Sequence, residues 1–391
     1  MDGKRFTEEA LTERLLGDGE IALLRQLFAE ENDAAELRRA AEGIDLDTVP
    51  VANQLALARL SFKAGKDGLP SSVVPRVRGV YRYYQAQLAF RAVWFSEKLR
   101  LLNEHGIPVL LLKGMAMYLH FDPGQPRTMG DTDIAVPADR YQEAKRLLCG
   151  SGLMPKPVPE AAYSVDLYEG DPEHRGKGYY ELDLHHRVFK WTDDARSGVW
   201  DRVREASVRG QKAYVLSTLD MLMALIDNDT RCLFDNESPG RHLKWLMDIR
   251  LLLSREDAPT PERIRERAEE LGEGYRVRLM LRLVLRAFPD VFPEEAFERC
   301  FPDDEGYRKW LRAELGYHAL LTDPRWAPSE EGTRLGKLPV VFRRMRLDYL
   351  RYRLDRCPAP FHGVCGYLKF HYRADGFGEM AKKTLRRLKL R

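Results

Sequence analysis

Nowhere in the 391-residue chain do two cysteines stand two residues apart, and the five present (Cys149, Cys232, Cys300, Cys357, Cys365) are odd in number and widely spaced. A zinc knuckle and a redox dithiol are thereby excluded, and the thiols read as buried or free in a reducing compartment. Long apolar runs are also missing. Stretches such as Val109–Leu112 and Met221–Ile226 are far too short to span a bilayer, so no membrane role is expected. The first residues, MDGKRFTEEALTERLL, lack a cationic start followed by an apolar segment, so no signal peptide is expected. Charge of one sign is scarcely in excess: the formal net charge is +3. Six basic residues (Lys382, Lys383, Arg386, Arg387, Lys389, Arg391) fall in the last ten positions with no acid among them, which leaves the rest of the chain net acidic. The pI of about 8.5 therefore reflects a tail, and a protein that coats polyanions is disfavoured. What remains is a cytoplasmic, globular composition, 44% hydrophobic and 31% charged, long enough for two or three domains.

Residues 1–105 read as a helical region. The stretch from Thr7 to Gly43 suggests a short helical hairpin array, broken at Gly17–Gly19 and Asn32–Asp33. A turn-rich loop follows at Gly65–Ser72. Val77, Tyr81, Tyr84, Leu88, Phe95, Leu99 and Leu102 then recur at three- and four-residue steps, predicting one long amphipathic helix that stops at Gly106. Residues 106–215 change character. Ile107–Leu112 reads as a buried strand, Asp131–Val136 as a second, and Asp139–Leu148 as a helix. Tyr163–Tyr168 is a possible third strand, and Tyr179–Val188 is a strand by its alternation. From 216 to 391 the helical period returns, with prolines at 259, 289 and 293 between helices and an arginine-rich Arg343–Arg356. The fold class expected is α+β: a small mixed sheet flanked by N- and C-terminal helical regions.

Chemistry concentrates in Leu112–Val136, LKGMAMYLHFDPGQPRTMGDTDIAV. Residues two apart on a strand share a face, so Asp131 and Asp133 set two carboxylates on one edge, costly unless a cation stands between them. Glu181, Asp183 and His185 share a face in the same way, with Leu182 and Leu184 on the other. If the two strands are neighbours, Asp183 joins Asp131 and Asp133 around one or two hard divalent ions. Such a set suits two-metal phosphoryl chemistry, and Gly114 lets backbone amides approach a phosphate.

Lys113-Gly114, the run Arg127–Asp133 and the run Glu181–His185 resemble the signature of the uncharacterised bacterial nucleotidyltransferase family within the DNA polymerase β-like superfamily. The resemblance is specific over about 107–190 and looser through Arg241–Leu253. It implies that Gly114 is the glycine turn, that Asp131 and Asp133 are the metal pair and that Asp183 is the third carboxylate. The family's arginine ahead of the pair falls on Arg127. Two departures concern the grip on the triphosphate: Met115 stands where the superfamily often has Gly or Ser, and the spacing from Gly114 to Asp131 is long.

Blander readings stand beside these. An Asp-x-Asp pair alone is more often a turn or strand end, and Lys113 reads first as a strand cap and second as a phosphate contact. Arg127 in isolation reads as a surface ion pair, though its planar fork suits phosphate. Adjacent strand residues face opposite sides, so only one of His185 and His186 joins Asp183; His185 reads as its supporting partner and His186 as structural. The run His174–Gly178 reads as a hairpin turn before a phosphate loop. Arg241, Lys244 and Asp248 share a helix face, as a surface ladder or as contacts to nucleotide or acceptor. The basic end reads as a solvated helix that attracts RNA or another anionic partner.

The reading reached is a metal-dependent nucleotidyltransferase. Asp131, Asp133 and Asp183 are the catalytic and metal-binding residues, and Lys113, Gly114, Arg127 and Lys244 bind the cofactor. Two Mg²⁺ ions and a nucleoside triphosphate, ATP first among them, are the implied cofactors. The acceptor is open among small molecule, peptide or protein, and RNA. A kinase-like or phosphosugar-transferring enzyme and a non-catalytic nucleotide- or RNA-binding relative are the alternatives.

Overall fold

The computed structural model describes residues 7–29, 71–121, 127, 129–157, 163–174, 178–189, 192, 194–232 and 241–322, with isolated positions at 35, 36, 39, 56, 58–61 and 69. The arginine-rich segment, the basic end, Cys357 and Cys365 lie outside the described residues, as does most of the loop at 65–72.

A seven-stranded mixed sheet forms the centre. Its strands are β1 (Leu110–Leu111), β2 (Thr132–Ala135), β3 (Met154–Pro155), β4 (Ser164–Glu169), β5 (Tyr180–His185), β6 (Arg204–Val208) and β7 (Gln211–Val215), in the order β3-β4-β5-β2-β1-β7-β6. The β2–β5 and β1–β7 pairs are parallel and the others antiparallel. The α+β class with flanking helices is thus found as expected. The first strand is shorter than its apolar run, because Pro108 has no N–H to give a ladder; bonds from Tyr214 N to Val109 O and from Leu112 N to the Asp133 carbonyl extend it at both ends. The β6–β7 hairpin and β3 were not read from the sequence.

Helices cover this sheet on either side in sequence. Helices Glu8–Leu15 and Asp18–Phe28 open the chain, and Val74–Glu104 follows as one 31-residue helix. Pro75 lies in its first turn, where a missing N–H costs nothing. Val77, Leu88, Phe95, Leu99 and Leu102 are buried along one stripe. Gly106 ends it at φ +66°, the left-handed geometry that glycine adopts freely. After the sheet come Thr218–Cys232, Arg241–Leu253, Pro261–Leu271, Gly274–Ala287, Glu294–Cys300 and Glu305–Thr322. One hydrophobic cluster runs through the molecule from Leu11 to Leu311. Among the described residues no helix is long and apolar enough to cross a membrane.

Alternation positions the site. Along β5, Leu182 and Leu184 are buried in the core, while Glu181, Asp183 and His185 take the opposite face.

Candidate active site

Pairing in parallel register sets Asp133 of β2 directly against Asp183 of β5, and Ala135 against His185. The neighbourhood of strands on which the three-carboxylate expectation depended is therefore present. His185 reaches both acids: its Nε2 lies 2.9 Å from Asp183 Oδ2 and 3.4 Å from Asp133 Oδ1. One ligand atom from each of Asp133, Asp183 and His185 falls within 4.8 Å of the other two. Asp183 Oδ1 and His185 Nδ1 are buried with no hydrogen-bond partner. Two acids side by side, with a buried carboxylate oxygen still to be satisfied and an imidazole at their edge, fit a divalent cation.

Lys113 enters from the end of β1. Its backbone is left-handed, at φ +42°, which costs an L residue about 1 kcal/mol. Its Nζ sits 2.6 Å from Asp133 Oδ1. Burial opposes the ammonium, but Asp133 and Asp183 outweigh burial and raise its pKa. Burial likewise opposes charge on Asp133, yet Lys113 and His185 hold that carboxyl well below the usual range. The imidazole of His185 is disfavoured as a cation by burial, and Asp183 with Asp133 reverses this, lifting it to about 9.

Asp131 precedes β2 by one residue and stands outside the three-residue ligand cluster. It is still close enough to feel that cluster: the charge of Asp133 and then burial raise it to about 6, against Lys113 and Lys244. Of the two neighbouring acids, Asp133 holds the cations and gives up its proton first, while Asp131 takes one up more readily. Lys244, on helix Arg241–Leu253, acts on Asp131 through its charge.

Two glycine-turn expectations change in detail. A Cβ at Gly114 would stand 3.1 Å from Met129 Sδ and 3.2 Å from its Cγ, so the glycine lets the loop before β2 lie against the turn. Met115 is fully buried in the core.

Arg127 is placed differently. It is 3% exposed, and its fork meets Asp248 with Nη1–Oδ1 at 2.8 Å and Nη2–Oδ2 at 2.5 Å. The guanidinium expected on a phosphate, or on the surface, is instead spent on a buried pair. Asp248 is 1% exposed, which corrects the surface-ladder reading of its helix.

Arg91 was missed. From the long helix it donates to the carbonyls of Gly130 (3.0 Å) and Met129 (3.4 Å), to Thr132 Oγ1 (3.3 Å) and to the Glu181 carbonyl (3.5 Å). It therefore ties the turn carrying Asp131 to β5. Burial lowers its pKa, against the charge of Asp131. The signal was present: Arg91 interrupts the apolar stripe, three residues past Leu88 and four before Phe95. Asp166 was also missed. It faces Asp183 across β4–β5, and burial together with Asp183 raises its pKa.

No curated protein and no solved structure is significantly similar to the chain. A family model described as uncharacterised nucleotidyltransferase matches residues 52–289, a span that holds Arg91, Lys113, Asp131, Asp133, Asp183, His185 and Lys244 and more than half of the sequence, so the chain belongs to that family.

Proposed function

We propose that the protein moves a nucleoside monophosphate from a nucleoside triphosphate, with ATP the first donor to test, onto an acceptor hydroxyl, releasing pyrophosphate. The observation that carries this reading is the in-register pairing of Asp133 with Asp183 beside His185 and Lys113. Asp133 and Asp183 would hold a divalent ion, Mg²⁺ first, with Asp131 beside Asp133 to complete the site. The ion, when bound, neutralises charge on the phosphates.

The chain's own groups do the rest. His185 orients the Asp183 carboxylate through its 2.9 Å contact. Asp183 takes the proton of the acceptor hydroxyl as that oxygen forms its bond to the α-phosphorus and the bond to the pyrophosphate oxygen breaks. Lys113 and Lys244 offer positive charge to the triphosphate, and Arg91 fixes the turn that presents Asp131. Arg127 is read as a structural brace, since Asp248 engages its fork. The free thiols at Cys149 and Cys300 suit a reducing cytoplasm.

The test is pyrophosphate release across the four nucleoside triphosphates with pooled hydroxyl acceptors. Asp183→Asn should cut transfer about a hundredfold or more while far-UV circular dichroism is unchanged. Near-normal turnover in that variant would refute the assignment.

A further inference from the structure

We propose that Lys113 is a resident counterion of the site, one that a divalent metal must displace and that a nucleotide then receives. The proposal rests on the metal-dependent reading above and adds to it an order of assembly. Lys113 Nζ lies 2.6 Å from Asp133 Oδ1, and His185 Nε2 approaches the same oxygen at 3.4 Å. A carboxylate oxygen of Asp133 is among the ligand atoms grouped with those of Asp183 and His185. A divalent ion drawn to it meets a full positive charge already at hydrogen-bond distance from its ligand, in surroundings that screen little.

The side chain is able to move aside: it is a quarter exposed, whereas Asp133 is nearly wholly enclosed. It is also placed there at a cost, because its backbone holds a conformation that L side chains rarely adopt. Once displaced, the ammonium requires another anion. The carboxylates that act on it are Asp133, Asp183 and Asp131, each of them a proposed metal ligand. A triphosphate supplies the missing anion. Metal without nucleotide therefore binds against the lysine, and metal with nucleotide binds with it. By linkage, the metal strengthens nucleotide binding by the same factor as the nucleotide strengthens metal binding.

The experiment is titration of full-length protein with Mn²⁺ alone, read by the electron paramagnetic resonance signal of free Mn²⁺. Wild type is compared with Lys113→Gly, which suits the left-handed backbone, and with Lys113→Gln, each first shown to be folded by circular dichroism. A second titration adds α,β-methylene-ATP at saturating Mn²⁺ by calorimetry. Both variants should bind Mn²⁺ alone about tenfold tighter than wild type, and both should bind the nucleotide analogue about tenfold more weakly. A lysine that merely braces the site predicts the opposite sign for the metal. Equal or weaker Mn²⁺ binding in the two folded variants overturns the counterion role while leaving the metal site in place. Absence of any Mn²⁺ binding in wild type and in both Lys113 variants, with the nucleotide analogue as well as without it, overturns the metal reading itself and this proposal with it.

Discussion

His185 Nε2 serves two acids at once, and its protonation couples the site to stability. Its folded pKa, about 9, lies above the ordinary 6.5. A group raised on folding stabilises the native state fully below its unfolded pKa, and that contribution is lost as pH climbs through the folded value. With chelator present, the urea midpoint should therefore fall from neutral pH to above about 9, and His185→Gln should flatten the slope. An unchanged slope in that variant would show that the imidazole carries no such charge. At this scale, spacing set Asp131 beside Asp133 and put Asp183 and His185 on one face, and the resemblance gave the three carboxylates their expected roles. What escaped was occupancy of the cations. Sequence shows that Arg127 and Lys113 are near, but not that Asp248 claims the first and Asp133 the second, because those partners are 121 and 20 residues away.

Helix Arg241–Leu253 is fastened to the segment before β2 by the buried Arg127–Asp248 pair. Removing one partner strands the other charge in the core. Asp248→Ala should lower the unfolding free energy by about 3–5 kcal/mol, and Arg127→Met with Asp248→Leu should recover most of it, measured by denaturant titration. A small loss in the single variant would mean that water reaches the guanidinium. Elements with strong period were read well, as the long helix and β5 show. The β6–β7 hairpin was not, and the reason is local: its two-residue turn is Arg209-Gly210, both at positive φ. That geometry is usually announced by Asn-Gly or Asp-Gly, and an arginine there hides it. Register between strands was equally hidden, since β2 and β5 meet across a helix and two strands of intervening chain.

Across the whole molecule, the first helix packs on the last described ones. Glu8 accepts from Tyr307 Oη at 2.6 Å and from Arg278 Nη2 at 2.9 Å, and it pairs with Arg282 at 3.4 Å. Arg278 is 2% exposed, so this carboxylate answers a buried charge. Glu8→Ala should cost about 3 kcal/mol in denaturant titration and leave nucleotide affinity unchanged. A loss of nucleotide affinity alongside the stability would show that the clasp reaches the site. No periodicity in residues 7–29 points to this partner, which explains why the sequence yields the helices but not their place.

The same clasp has a consequence for how the protein is born. Glu8 leaves the ribosome 299 residues ahead of Tyr307. At roughly 5–20 residues per second, the helix waits about 15–60 s for Tyr307, with Leu11 and the adjoining Leu16 without their final cover. The helix that carries Glu8 docks only after that partner is made, and chaperone dependence in the cell should track the interval.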